Sequence, residues 1–386
     1  MRRLVVCFDG TWNNADSEKA DTNVTLIARA IHATQDTGAI QQSVLYLRGV
    51  GATGLDVQRV IEGATGLGID DNIRSGYMFL TQNYLPGDEI YLFGFSRGAF
   101  TARSVVGFIG SCGLLKRERL GDLGRAWTYY RTATDRSPEK FMASCNSESH
   151  PDVNIKFLGV WDTVGALGIP THILGAIVNH QYGFHDTSPS KIVKHACHAL
   201  AIDEERDEFV PTLWTGEAPA GSIIEQVWFA GVHSDVGGGY VDRGLADITL
   251  AWMAEKAESE GLAMDWSVLP DGQNLDPLAA QHDSRAGWAV KDRLTPTFRC
   301  VCNKTFNVDF NETLYVPLGA DKKPLPTIGE SIHKSVVARF NHRAFASTDD
   351  AQRQSSQSLY APRNLAPLFE NGQPAKDVFV TANIRN

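Results

Sequence analysis

"IYLFGFSRGAFTAR", residues 90–103, is a run of apolar strand formers that meets Gly94-Phe95-Ser96-Arg97-Gly98 and continues into small, helix-tolerant residues. A strand that turns sharply into a helix needs small residues on both sides of the turn, and Gly94 and Gly98 supply that room. The pattern G-x-S-x-G predicts a serine lifted above a sheet, with the amide of the next residue at the positive end of a helix. The bland alternative is a serine in a tight turn, because a pentapeptide of this kind also arises by chance.

Three further stretches repeat the design. "RLVVCFDGTWNN" from Arg3, "VNIKFLGVWDTVG" from Val153 and "SIIEQVWFAGVHSDVGGG" from Ser222 each carry an apolar run that ends in turn residues and a polar side chain. Nearly continuous apolar runs predict strands buried on both faces, as in a parallel sheet covered by helices. "QSVLYLRGVG" is a fifth strand candidate, after the helix-like "NVTLIARAIHA". Helices are predicted in "DNIRSGYMFLTQNY" from Asp71, "RGAFTARSVVGFIGSCG" from Arg97, "SKIVKHACHALA" from Ser190 and "LADITLAWMAEKAESEG" from Leu245. The alternation implies an α/β fold with a mostly parallel central sheet and helices on both faces, filling residues 1–261. Residues 262–386 have a different texture, with prolines, short strands such as "ETLYVPLG" and one helix, "GESIHKSVVARFNHRA". They read as a C-terminal elaboration packed on the core.

In open parallel sheets, ligands gather outside the carboxyl ends of the strands. Asp9, Ser96, Asp162 and His233 end the four runs and are candidates to meet there. Ser96, Asp162 and His233 follow one another in the chain order of α/β-hydrolases, so a serine nucleophile, an orienting acid and a general base are expected. Each has a plainer role open to it: His233 as a cap on a glycine-rich turn, Asp162 as an Asx-turn. Asp9 is the rival acid. Gly10 or Thr11 behind it, with Arg97, are the expected backbone donors to an oxyanion. Asp235 lies too close to His233 in sequence to orient its ring, and the Arg97 guanidinium reads as half of a structural ion pair.

Other features carry less. "RGVGATGLDVQRV" is glycine-rich but lacks the Lys and Ser/Thr of a phosphate-cradling loop. His195 and His198 stand at i, i+3 of the predicted helix, a weak metal-ligand spacing outnumbered by structural histidines. Cys300-Val301-Cys302 lacks the spacer of a zinc pair, and an alternating strand accounts for it. The other four cysteines are scattered, as in a chain with reduced thiols. "GIPTHILGAIVNHQYGF" from Gly168 suits a lid or acyl-chain wall, or ordinary core.

The chain has 386 residues, 43% hydrophobic and 21% charged, which is enough for a large core. Its net charge of −9 argues against nucleic acid as a partner. The apolar stretch behind Met1 is interrupted by Asp9, too short for a signal-peptide core, and no apolar run reaches membrane-spanning length. A cytoplasmic protein is expected, or an exported one without a cleaved signal.

Taken together and in order, "FDGTWNN", "GFSRGAFTAR", "GVWDTVGALG", "HALAIDE", "WFAGVHSDVGGGY", "LADITLAWM", "IHKSV" and "LYAPRNL" resemble an α/β-hydrolase domain family typified by phospholipase effectors of type VI secretion systems. The resemblance implies a triad on Ser96, Asp162 and His233 and esterase or phospholipase A activity on membrane lipids, without a cofactor or metal. It implies peripheral membrane contact and, for an effector, an immunity or secretion partner. Two other readings stay open: a hydrolase of small soluble esters, thioesters or amides, and a catalytically silent interaction module.

Overall fold

A computed structural model describes residues 1–11, 20–32, 40–49, 67–165, 187–285, 294–319, 321–347 and 356–384. The first strand, β1 (Arg2–Phe8), shows why its sequence is apolar at every position from Leu4 onward. Leu4, Val6 and Phe8 enter one core cluster while Val5 and Cys7 enter another, on the opposite face. The same double burial governs β3 (Glu89–Phe95) and β4 (Ile155–Trp161). With β2 (Gln41–Leu47), β5 (Val193–Ala201), β6 (Ile223–Phe229), β7 (Glu330–His333) and β8 (Val380–Thr381) they form one eight-stranded sheet, in the order β8-β7-β6-β5-β4-β3-β1-β2. Every pairing in it is parallel.

Helices cover both faces. Helix α1 (Asn23–Ala30) puts Val24, Ile27 and Ala30 into the cluster that holds Val5 and Cys7. Helices α2 (Leu67–Asn83) and α3 (Arg97–Cys112) serve the other face through Ile73, Tyr77, Ala102 and Val105. The short α4 (His233–Gly237) and the long α5 (Gly244–Ser259) follow β6. A third cluster joins Leu200, Trp228 and Ala230 of the sheet region to Val301, Val336, Tyr360 and Leu365 of the C-terminal region.

Two expectations are corrected. The sequence predicts a helix over residues 190–201, but Val193–Ala201 is the strand between β4 and β6. Only Lys194 of its nine residues is exposed, so burial on both faces overrides helix propensity. The helix expected from Gly329 is a strand, β7, followed by α6 (Lys334–Arg339), with the His333 side chain capping the helix at Ser335 N. The C-terminal region therefore supplies two strands of the central sheet. The Cys300–Cys302 segment lies just beyond strand Thr297–Arg299, and the chain turns at Cys302 with φ 50°. The lid candidate at 168–184 and the glycine-rich loop beyond Gly49 lie outside the described residues.

Candidate active site

Chain order reverses between β1 and β3, which leaves the carboxyl ends of those strands beside a topological switch point. Ser96 leaves β3 with φ 59° and ψ −124°, a conformation L-residues rarely adopt, and forms the N-cap of α3. It is held there by its amide, which donates to the Trp161 carbonyl at 3.0 Å, and by two glycines. A Cβ at Gly94 would lie 2.5 Å from the Gly98 carbonyl oxygen, and one at Gly98 would lie 2.2 Å from that of Phe8. The strand-to-helix turn at Ser96 is thus packed against the end of β1 as well as its own helix.

Asp162 ends β4, one strand away, and is fully buried with φ 39°. His233 opens α4 after β6. Its Nδ1 and Asp162 Oδ2 are 2.6 Å apart, so the imidazole donates to the carboxylate. The ring sits 4.6 Å from that of Phe95, the residue before Ser96, and 4.8 Å from Phe209. A Cβ at Gly237 would fall 2.0 Å from the Phe95 ring, while Gly238 and Gly239 have φ 82° and 114°. The glycine triplet therefore does two jobs: close approach at its first member and a left-handed turn at the next two. Ser96 and His233 share this edge without a direct hydrogen bond between them.

Asp9, the rival acid, is surrounded by other partners. Its carboxylate accepts from Thr22 Oγ1, Thr25 Oγ1 at 3.0 Å, Tyr46 Oη at 2.6 Å and the Gly10 amide at 2.7 Å. Burial pushes its pKa up against those donors. Gly10 thereby has its N–H engaged, which narrows the expected oxyanion donors to Thr11 and Arg97. Thr11 is buried, and its Oγ1 has no partner among the described residues. The Arg97 guanidinium forms no ion pair among the described residues, contrary to expectation, and burial lowers its pKa to about 10. Asp235 turns away from His233: its Oδ1 lies 2.6 Å from His282 Nδ1 and its Oδ2 accepts from Val232 N.

Two groups near the imidazole escaped sequence reasoning. Arg299 grips Asp162 with both ends of its fork, Nη1 to Oδ1 at 2.6 Å and Nη2 to Oδ2 at 3.0 Å. Burial opposes the ionised form of Asp162, but Arg299 and then His233 hold it well below the usual carboxylate range. Glu204 Oε2 accepts from the His233 amide at 3.2 Å. Burial likewise opposes its charge, yet Arg206, Arg299 and His233 bring its pKa down to about 2. For His233 burial is the largest influence and lowers the pKa below its ordinary value, against the pull of Asp162 and Glu204. Arg299 left no signal in the sequence, being 137 residues from its partner. Glu204 lay within the quoted "HALAIDE" stretch without a role.

His195 and His198, three apart on a strand, face opposite sides of the sheet, so the i, i+3 metal spacing is lost. His198 Nε2 accepts from the Thr163 amide at 3.0 Å, and burial with nearby Arg103 lowers its pKa to about 3. His195, Cys197 and Glu225 bring ligand-type atoms within 4.8 Å of one another. Lys256 already binds both oxygens of Glu225, and Glu260 joins His195 to Lys156. Cation and carboxylate charges there balance without an ion.

Residues 2–256 match the family described as T6SS, phospholipase effector Tle1-like, catalytic domain. Among curated proteins, an uncharacterised protein of Saccharomyces cerevisiae, YEL023C, is 29% identical over 238 residues, which cover 55% of this chain and 33% of the yeast protein. Two solved structures align over longer stretches at lower identity. One, an uncharacterised protein from Pseudomonas aeruginosa, has TM-score 0.39 and 17% identity, covering 71% of this chain and 48% of the other. The other, the Tle1 effector bound to the VgrG spike of the type 6 secretion system, has TM-score 0.37 and 19% identity, covering 62% and 51%. The chain spans about a third of the yeast relative and about half of each solved chain.

Proposed function

The chain belongs to the T6SS Tle1-like phospholipase effector family through its catalytic domain, and on that premise we propose that it is a serine hydrolase cleaving carboxylic esters of phospholipids. The observation that carries the reading is the buried Asp162–His233 hydrogen bond of 2.6 Å at the same sheet edge as a strained, glycine-flanked Ser96. His233 Nε2 takes the Ser96 Oγ proton as Oγ attacks the ester carbonyl. Asp162 keeps the proton on Nδ1 and stabilises the imidazolium, which then protonates the leaving alcohol. Water enters in the second half-reaction and releases the fatty acid by the same proton path.

The oxyanion is assigned to the amides of Arg97, at the first turn of α3, and Thr11. Supporting the α/β-hydrolase arrangement is the order of strands β2-β1-β3-β4-β5-β6, with nucleophile, acid and base at the ends of β3, β4 and β6 and an oxyanion loop after β1. Residues 1–261 would form the catalytic core, with 262–386 built onto it as part of one unit. Membership also makes peripheral contact with a bilayer, a secretion-apparatus component and an immunity protein the partners to test. Among the described residues no helix is long and apolar enough to cross a membrane.

The direct test is labelling with a fluorophosphonate, followed by fatty-acid release from phosphatidylethanolamine and phosphatidylglycerol vesicles. Wild type should be labelled and release fatty acid, and Ser96→Ala should do neither. Labelling that persists in Ser96→Ala overturns the nucleophile. Hydrolysis of short esters without lipid release moves the substrate to small soluble esters, and a folded wild type that is never labelled points to a silent module.

A further inference from the structure

Arg299 lies outside the residues matched by the catalytic-domain family, yet it is among the most completely buried charged groups in the molecule, 1% exposed. Its fork makes four hydrogen bonds. Besides the two to Asp162, Nη1 donates to the Ala201 carbonyl at 2.7 Å and Nη2 to that of Phe209 at 2.5 Å. Those carbonyls bracket the loop that carries Glu204 and Arg206. The backbone behind Arg299 is itself fixed: strand Thr297–Arg299 pairs with Thr313–Tyr315, Thr297 N donates to the Glu205 carbonyl, and Asn364 Nδ2 donates to the carbonyls of Ile202 and Arg299.

From this geometry we propose that Arg299 is a positioning residue for hydrolysis, contributed by the C-terminal region, which aims the Asp162 carboxylate at His233 and offsets that carboxylate's charge beside the imidazole. The proposal rests on the triad reading. Asp162 Oδ1 accepts from the Ala201 amide at 3.0 Å and from Arg299, and Oδ2 accepts from Arg299 and His233. Two groups, the Ala201 amide and the Arg299 fork, therefore fix the carboxylate plane through three hydrogen bonds and leave one direction for the imidazole. A bidentate guanidinium does this where a point charge would let the carboxylate swing.

The electrostatic half follows from the charges gathered near the ring. Asp162 comes from the end of β4, Glu204 and Arg206 from the loop after β5, and Arg299 from the C-terminal region. Asp235, on the ring's own helix, is engaged by His282, which stacks on Tyr240 at 3.7 Å. Phe95 and Phe209 supply the apolar walls. Two carboxylates thus stand against two guanidiniums around a buried imidazole. A proton added to the ring leaves one uncompensated charge in a dry site, so the neutral base is favoured. Removing Arg299 would leave a net negative surround and favour imidazolium.

The experiment compares fluorophosphonate labelling rates and short-ester turnover from about pH 5 to about 9 in wild type, Arg299→Gln and Arg299→Lys, with folding checked by near-UV circular dichroism. Arg299→Gln should slow the reaction by about 10²-fold through misplacement of Asp162, and should raise the acid limb by about one pH unit. Arg299→Lys, which keeps the charge but loses the fork, should slow the reaction to a rate between wild type and Arg299→Gln while leaving the acid limb near its wild-type position. An acid limb that stays where wild type has it in Arg299→Gln overturns the proposal, even with a slower rate; should that variant fail to fold, an Arg299→Lys protein that reacts at the wild-type rate does so. Ser96→Ala separates the two readings. Persistent labelling there sinks the triad itself, whereas a silent Ser96→Ala beside an unmoved limb sinks only Arg299.

Discussion

Asp9 and Asp162 are the same carboxylate in chemistry, and their neighbours set them different tasks. Asp9 is stitched to two threonines, a tyrosine and the next amide, whereas Asp162 faces an imidazole and a guanidinium. Asp162→Asn should cut kcat by about 10³ to 10⁴-fold with the fold intact, because an amide no longer holds the imidazole tautomer. Asp9→Asn should instead cost about 1–3 kcal/mol of stability, read by denaturant melts, with kcat within about tenfold of wild type. The reverse outcome would make Asp9 the acid. His233 adds a pH signature. The proposed mechanism needs the neutral ring, and burial lowers its pKa, so the acid limb of kcat/KM is expected below about pH 6.5, the ordinary histidine value. A limb above neutrality in a rate profile on an uncharged ester would contradict this. The residue types at these positions were legible in the sequence, but the choice between the acids was not, since both end an apolar strand and precede small or hydroxyl-bearing residues.

At the scale of elements, the turn from β3 to α3 is tied to β1 through the space a glycine leaves. A methyl at Gly98 would meet the carbonyl oxygens of Phe8 at 2.2 Å and Asp9 at 2.5 Å, both backbone atoms with little room to move. Gly98→Ala should therefore push the first turn of α3 away from β1, costing about 1–3 kcal/mol. It should also lower kcat more than KM rises, because the proposed oxyanion amides sit on the two elements that separate. Wild-type kinetics in a Gly98→Ala enzyme would mean the contact is irrelevant to the site. This element could be foreseen because both glycines and the strand lie within a few residues of the serine. The segment Val193–Ala201 could not: its alanines and spaced histidines suit a helix, and only burial between β4 and β6 makes it a strand.

At the scale of the molecule, the C-terminal region is woven into the sheet. β7 pairs with β6 through Glu330↔Gln226 to Ile332↔Trp228, and Trp228 Nε1 donates to Glu330 Oε2 at 2.5 Å. Val301, Ile332, Val336, Leu365 and Leu368 share one buried cluster with Leu200, Ile202 and Trp228. A chain ending at Gly261 would bare the β6 edge and the apolar side of that cluster, and would lose Arg299. We expect it to be insoluble or to unfold without a cooperative transition, as judged by size-exclusion chromatography and urea titration. A soluble fragment with a sharp transition would establish residues 1–261 as an independent domain.

The sequence by itself determined the parallel α/β architecture and the order Ser96, Asp162, His233, because double burial writes continuous apolar runs and each strand end writes its own turn. Only the tertiary structure decided which carboxylate meets the imidazole, that Arg299 closes on it, and that residues 330–333 and 380–381 extend the sheet. Those are contacts between groups 48 or more residues apart (Ile332 and Val380 are the nearest in sequence), whose local sequence carries no trace of the partner.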